Sequence, residues 1–112
     1  MPVTIYHNPK CSKSRQTLAL LQEQGVEPRI VEYLDTPPTA AELDAILKKL
    51  GIEPKALLRN KEAKEEGVDP NLSRQQLIAA MVQHPRVIER PIVVHGKRAA
   101  LGRPPESVLE IL

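Results

Sequence analysis

The chain has 112 residues, a length that suits one domain with a single buried core. Its aromatic residues are two tyrosines, so the core must consist of Leu, Ile, Val and Ala, and the stacking platforms of single-strand nucleic-acid binders are lacking. The net charge of +2 is too small to indicate a nucleic-acid or membrane-surface partner, and no apolar run is long enough to span a bilayer. We therefore expect a protein with neither kind of partner.

The cysteine content and the first residues bear on the cellular compartment. A single cysteine excludes an internal disulfide, as is typical of a reducing compartment. The first residues show neither the basic segment nor the apolar segment of a secretory signal. We expect a cytoplasmic protein, and we expect it to be a monomer.

The first third of the chain predicts a strand, a helix and a second strand. Residues 3–6 are a short apolar run of strand type, and residues 12–24 form a helix with Leu18, Leu20 and Leu21 inward that ends before Gly25. Residues 29–34 are mostly apolar and β-branched, as in strands. A strand, helix and strand in this order predict two parallel strands with a right-handed crossover.

The rest of the chain predicts a helical block followed by a hairpin and a last helix. In order, it predicts a helix with a capping box at Thr39–Glu42, a short helix from Pro54, a charged helix or loop at 60–66, a helix with a capping box at Ser73–Gln76, a strand at 87–94, a turn at 95–98, a strand at 99–101 and a helix at 106–112. We therefore expect one domain over residues 1–112, with a helical insertion at about 39–84.

The cysteine, Cys11, follows an Asn-Pro turn at the predicted start of the first helix. The unpaired N–H groups and dipole at a helix N-terminus favour an anion, so the thiol there ionises more easily. Ser14 lies on the same helical face and is expected to donate its hydroxyl to the sulfur. A lone cysteine is usually a small buried hydrophobic residue, but such a residue rarely lies in a polar, basic segment. The neighbours that add positive potential here are Lys10, Lys13 and Arg15.

Three arginines are candidates for binding an oxyanion. Arg59, Arg90 and Arg103 each lie at an element boundary beside Leu or Pro, outside the charged run. A guanidinium is planar and offers several donors, which suits a tetrahedral anion better than a lysine does. The alternative for each is an exposed ion pair, since most arginines are exposed. Arg29, Arg86 and Arg98 lack this context, and we expect them to be surface residues.

The histidines do not predict a metal site. His7, His84 and His95 are scattered along the chain, and with one cysteine they give no spacing typical of zinc. His84 and His95 are more typical of cap and turn positions. We expect no bound metal and no bound cofactor.

Four separated segments of the chain carry a resemblance to a known family. They are Ile5-Tyr6-His7-Asn8-Pro9-x-Cys11-Ser12-x-Ser14-Arg15, Ala56-Leu57-Leu58-Arg59, Arg90-Pro91-Ile92-Val93-Val94 and Leu101-x-Arg103-Pro104. With these segments in this order, the chain resembles the glutaredoxin-linked arsenate reductases over almost its whole length. The order of the predicted elements, β-α-β, helical insertion, β-β-α, is that of an α/β thioredoxin-like fold.

The resemblance implies a role for each matching position. Cys11 is the implied nucleophile, and the implied ligands of the arsenate oxyanion are Arg59, Arg90 and Arg103. Pro91 matches a proline that is cis in this fold, and a cis X-Pro bond costs only about 1 kcal/mol. His7 also matches the family, either as a residue that, with Ser14, stabilises the thiolate or as one that shapes the turn.

Turnover requires a thiol from outside the chain, because Ser14 stands where thioredoxins have their second cysteine. The resemblance implies that Cys11 attacks arsenate, that glutathione as co-substrate displaces the adduct, and that glutaredoxin resolves the product to release arsenite. Two alternatives remain. One is a Spx-like regulator that binds RNA polymerase, although its best-known members carry Cys-x-x-Cys. The other is a related thiol oxidoreductase with a different substrate.

Overall fold

The computed structural model describes residues 2–112. These residues form two compact units. One consists of the residues up to Thr36 together with Arg90–Leu112, and the other of Pro37–Glu89. We refer to them as the sheet unit and the helical unit and describe each by itself. The single-domain assignment, with its insertion at about 39–84, stays a prediction.

The sheet unit contains four strands in the order β2-β1-β3-β4. β1 runs parallel to β2 and antiparallel to β3, and β3 forms a hairpin with β4. The crossover from β1 to β2 is a 12-residue helix, α1, as the sequence predicted. This order of elements confirms the thioredoxin-like fold. The bounds are β1 Val3–His7, α1 Ser12–Glu23, β2 Arg29–Glu32, β3 Ile92–His95, β4 Arg98–Leu101 and a 3₁₀ helix Pro105–Ile111.

The core of the sheet unit lies between the sheet, α1 and the C-terminal 3₁₀ helix. Alternate residues of β1 are buried, as expected for a strand with one covered face. On α1 only Leu21 of the three predicted leucines is fully buried, while Leu18 and Leu20 are partly covered. Ser14 and Thr17 are fully buried instead. The face of α1 that meets the core is therefore partly polar, and its first buried residue, Ser14, lies three positions after Cys11. The core cluster is Val3, Ile5, Leu21, Val93, Val108 and Ile111.

The helical unit consists of short helices with well-defined starts. Both predicted capping boxes form, with the Thr39 and Ser73 hydroxyls accepting from the N–H groups of Glu42 and Gln76. Gly51 ends the first of these helices in the left-handed conformation, at φ 70°. The bounds are α2 Ala40–Leu50, α3 Pro54–Leu57, α4 Asn60–Glu66, α5 Arg74–Gln83 and a 3₁₀ helix Pro85–Val87.

The strand predicted over residues 87–94 is much shorter in the structure. Residues 85–87 form a 3₁₀ helix, Ile88 makes a single bridge to Leu58, and the strand itself begins at Ile92. Pro91 has no N–H to donate, so a continuous ladder cannot run through it. The strand predicted at 29–34 also ends early, at Glu32, whose carbonyl accepts the N–H groups of Asp35 and Thr36 in a turn.

Residues 2–112 contain neither a candidate membrane-spanning helix nor a candidate metal-binding cluster. None of the helices in this range is long and apolar enough to cross a membrane. In the same range, no three His, Cys, Asp or Glu side chains are grouped so that they could hold a metal ion.

Candidate active site

Cys11 is the N-cap of α1 and lies on a tight turn that follows β1. Its N–H donates to the carbonyl of Asn8 at 3.0 Å, and its carbonyl accepts the N–H of Arg15 at 3.0 Å. The Asn8 side chain accepts the N–H of Lys10 at 3.0 Å, and the Arg15 guanidinium donates to the carbonyl of Pro9 at 2.9 Å. The turn is therefore held at several points, and it presents a partly exposed thiol.

The surroundings of Cys11 lower the pKa of its thiol. Partial burial raises this pKa, but the backbone N–H of Ser14, the charge of Arg90 and a side-chain hydrogen bond from Arg90 together lower it by more. The backbone N–H of Lys13 adds to the lowering. Ser14 and Lys13 belong to the first turn of α1, where N–H groups have no partner within the helix. The thiolate is thus favoured by the helix N-terminus and by Arg90, which belongs to the second chain segment of the sheet unit.

Arg103 is the second arginine at the sulfur. Its Nη2 lies 3.7 Å from Cys11 Sγ, and its Nε donates to the carbonyl of Arg90 at 2.7 Å. One guanidinium therefore contacts both the thiol and the backbone of the other arginine. The structure brings together Cys11, Arg90 and Arg103, which are far apart in the sequence.

Gly102 allows the Arg103 segment to approach the Arg90 segment. Its N–H donates to the carbonyl of Pro91 at 3.0 Å. A Cβ atom at Gly102 would lie 2.6 Å from Pro91 Cγ and closer still to Thr17 Oγ1, so only glycine fits there. The peptide bond before Pro91 is cis, and so is the bond between Arg103 and Pro104. The sequence prediction did not include Gly102 or Thr17, because a close approach between distant segments leaves no local pattern.

The hydroxyl of Ser14 does not bond to the sulfur as the sequence suggested. It lies 2.5 Å from Nδ1 of His7 and accepts the N–H of Asn8 at 3.0 Å. The hydroxyl is fully buried and is turned toward β1, whereas the backbone N–H of the same residue reaches Cys11. Burial lowers the pKa of His7, against a raising effect from Glu32, so the neutral imidazole is favoured. His7 and the Ser14 side chain thus join β1 to α1 beneath the turn.

Replacing Ser14 by Ala is expected to destabilise the protein with little change in the thiol pKa. The change leaves the buried imidazole of His7 and the partly buried N–H of Asn8 without this partner, at a cost of about 1–3 kcal/mol. Chemical denaturation measures that loss, and the pH profile of alkylation should keep its midpoint. The exposed neighbour Ser12→Ala is the control. A raised midpoint with unchanged stability would show that the hydroxyl acts on the sulfur directly.

Cys11 should be alkylated at a lower pH than a free cysteine, because its thiolate forms at a lower pH. A lowered pKa means that a larger fraction of the thiol is ionised at any given pH below it, and only the thiolate reacts. The rate of reaction with iodoacetamide should therefore reach half its maximum at a pH below about 8.5, which is the pKa of a free cysteine. A midpoint at or above that value would remove the case for Cys11 as a nucleophile.

Arg59 belongs to the helical unit, where it precedes α4. Its Nε pairs with Glu62 at very short range, and its Nη1 donates to Glu89 at 2.8 Å. Burial lowers the pKa of Arg59, but the two carboxylates raise it overall, so the guanidinium stays charged. The sequence analysis gave residues 60–66 as a charged helix or loop and did not foresee either acid as a partner of Arg59, although Glu62 is buried. The i,i+3 spacing of Arg59 and Glu62 was the available signal.

The arginines set aside as surface residues are exposed. Arg86 forms ion pairs with Glu65 and Glu66 within the helical unit. Arg29 and Arg98 lie on the two edge strands of the sheet, β2 and β4. They therefore provide matched controls for the site arginines.

Comparison with known proteins places this site in a family. The model of the ArsC family matches residues 6–111. The chain belongs to the ArsC family. The family match includes every candidate site residue named above.

Two curated proteins and one solved structure are close to this member of the family. An uncharacterised protein of Escherichia coli strain K12, YfgD, is 55% identical, over 98% of this chain and 96% of its own. A protein of Haemophilus influenzae named arsenate reductase is 47% identical over the full length of both. A solved structure described as arsenate reductase from Vibrio cholerae is 52% identical, with a TM-score of 0.93, and covers 100% of this chain and 98% of its own.

Proposed function

We propose that this protein reduces arsenate to arsenite, with Cys11 as the nucleophile and with glutathione and glutaredoxin as outside reductants. The observation that carries the proposal is a thiol of lowered pKa with Arg90 and Arg103 beside it. Full-length relatives named arsenate reductase support the choice of substrate.

The first step joins two anions, so it needs positive charge at the sulfur. The Cys11 thiolate attacks arsenic, an S–As bond forms, and one arsenate oxygen leaves as water after taking up protons. Arg90 and Arg103 neutralise charge on the remaining oxygens as the bond forms, which is where fixed donors lower a barrier most. Arg59 is the third proposed ligand of these oxygens.

The later steps use thiols that the chain does not contain. A glutathione thiol replaces a second oxygen on arsenic and releases another water. A glutaredoxin thiolate then attacks the glutathione sulfur, so that a disulfide forms and the electron pair of the broken S–As bond stays on arsenic, now As(III). Water hydrolyses the remaining Cys11–arsenic bond, which releases arsenite and restores the thiol. Cys11 is the single cysteine of the sequence, so no disulfide can form within the chain.

A coupled assay tests the proposal. NADPH consumption is followed with arsenate, glutathione, glutaredoxin and glutathione reductase, with each component left out in turn. We expect turnover that requires all of them and that scales with the amount of the protein. Turnover with glutathione and glutaredoxin that does not depend on arsenate would instead favour a thiol oxidoreductase with another substrate.

A further inference from the structure

Two exposed lysines, Lys10 and Lys13, lie on either side of Cys11 in the chain. Within residues 2–112, neither ammonium group makes a hydrogen bond or an ion pair. The cation that acts most strongly on the pKa of the thiol is Arg90, and neither lysine has that role. Two positive charges next to the nucleophile are therefore not used by the resting protein.

The backbone holds both lysines in place beside the sulfur. The N–H of Lys10 donates to the Asn8 side chain at 3.0 Å, and the carbonyl of Lys13 accepts the Thr17 hydroxyl at 2.8 Å. The N–H of Lys13 acts on the thiolate itself. The side chains thus start from backbone positions that hydrogen bonds hold, one on the turn and one at the start of α1, and both residues are exposed.

Unlike the two lysines, Arg15 and Arg103 use their guanidinium groups for contacts within the protein. The Arg15 guanidinium donates to the Pro9 carbonyl, and Arg103 donates to the Arg90 carbonyl and contacts the sulfur. A molecule that approaches Cys11 from solvent therefore meets Lys10 and Lys13 as exposed cations whose ammonium groups have no hydrogen bond or ion pair within residues 2–112.

We propose that Lys10 and Lys13 form the recognition site for the thiol reductant and bind the carboxylates of glutathione. The inference rests on the proposed function in taking glutathione as the thiol donor. Glutathione has two carboxylates and one ammonium group, so it is an anion, and its thiolate must approach a sulfur that carries an anionic adduct. Local positive potential increases the encounter rate of such partners, and salt weakens this effect.

A thiol–disulfide exchange tests this site without arsenate. Cys11 is first converted to its mixed disulfide with pyridine-2-thiol, an uncharged group. The glutathione thiolate then attacks the Cys11 sulfur, a new S–S bond forms, and pyridine-2-thione is released and followed by absorbance. The same rate is measured with 2-mercaptoethanol, which is an uncharged thiol. The ratio of the two rates reports recognition of charge, because a change in the reactivity of Cys11 cancels from it.

The Lys10→Gln/Lys13→Gln variant should lower this ratio on the order of fivefold at low salt, and the difference should shrink as salt is added. The control is Lys49→Gln/Lys97→Gln, which removes the same charge from exposed positions on α2 and at the β3–β4 turn. An unchanged ratio, or an equal fall in the control, would overturn the proposal. Since the exchange contains no arsenate, a protein inactive toward arsenate but selective for glutathione would refute only the proposed function.

Discussion

The Cys11→Ser variant should lose arsenate reduction entirely while it keeps its fold. A serine hydroxyl hardly ionises near neutral pH, so the first S–As bond cannot form, and the loss should be on the order of a thousandfold or more. Cys11 is partly exposed, and a serine Oγ can accept the hydrogen bonds that Sγ accepts from Arg90 and Arg103, so the free energy of unfolding should change by less than about 0.5 kcal/mol. The coupled assay and a denaturation curve measure the two quantities.

The neighbouring Ser12→Ala variant is the control for this change, because it alters an exposed hydroxyl at the next position of the chain. It should retain activity close to that of the unmodified protein. Substantial arsenate reduction by Cys11→Ser would mean that no covalent adduct at this residue is needed.

The second large effect is expected at the arginines. Loss of one preorganised charged donor typically costs about 2.7–4 kcal/mol of transition-state stabilisation. The kcat/KM for arsenate should therefore fall by roughly a hundredfold or more in each of Arg59→Ala, Arg90→Ala and Arg103→Ala. Arg90 should show an additional effect on the alkylation profile, because its charge and hydrogen bond lower the pKa of Cys11. Removing it should move the midpoint to higher pH.

Lysine should not rescue Arg103. The guanidinium uses Nε for the Arg90 carbonyl and Nη2 for the sulfur, and a single ammonium group cannot occupy both positions. Arg103→Lys should therefore recover only part of the activity lost in Arg103→Ala. Full recovery would mean that charge alone matters at this position.

Arg86→Ala and Arg98→Ala are the matched controls, since each removes one guanidinium from an exposed site. Exposed ion pairs contribute little, so the kcat/KM for arsenate of both variants should remain near that of the unmodified protein. If these two lose as much activity as the three site variants, or if none of the five loses any, the proposed oxyanion site is wrong.

Several elements of the fold were set by local patterns. The capping boxes at Thr39 and Ser73 and the glycine after α2 mark helix ends through contacts between near neighbours, and each formed as predicted. The crossover from β1 to β2 followed from strand length and helix length alone. The position of Cys11 at the start of α1 is likewise a consequence of the Asn-Pro turn and the helical pattern that follows it. Such features need only a short window of sequence.

Other features depended on contacts between distant residues, which no local window contains. The sequence predicted a hydrogen bond from the Ser14 hydroxyl to the sulfur of Cys11. In the structure the hydroxyl bonds to His7 on β1, and the backbone N–H of Ser14 acts on the sulfur instead. The predicted strand at 87–94 was shortened because Pro91 breaks the ladder. The pairing of Arg59 with Glu89 was not foreseen, since Glu89 lies 30 positions away and reaches Arg59 only when the helical unit is folded.

The sequence by itself determined the order of the elements and the position of Cys11 at a helix start, because short-range backbone preferences specify both. Only the tertiary structure decided which donors act on the sulfur. Arg103 comes within 3.7 Å of Cys11 across 92 positions of sequence, and this requires that Gly102 let the last strand pass against Pro91 and Thr17. Close packing between segments depends on the shapes of both, so it appears only once the chain has folded.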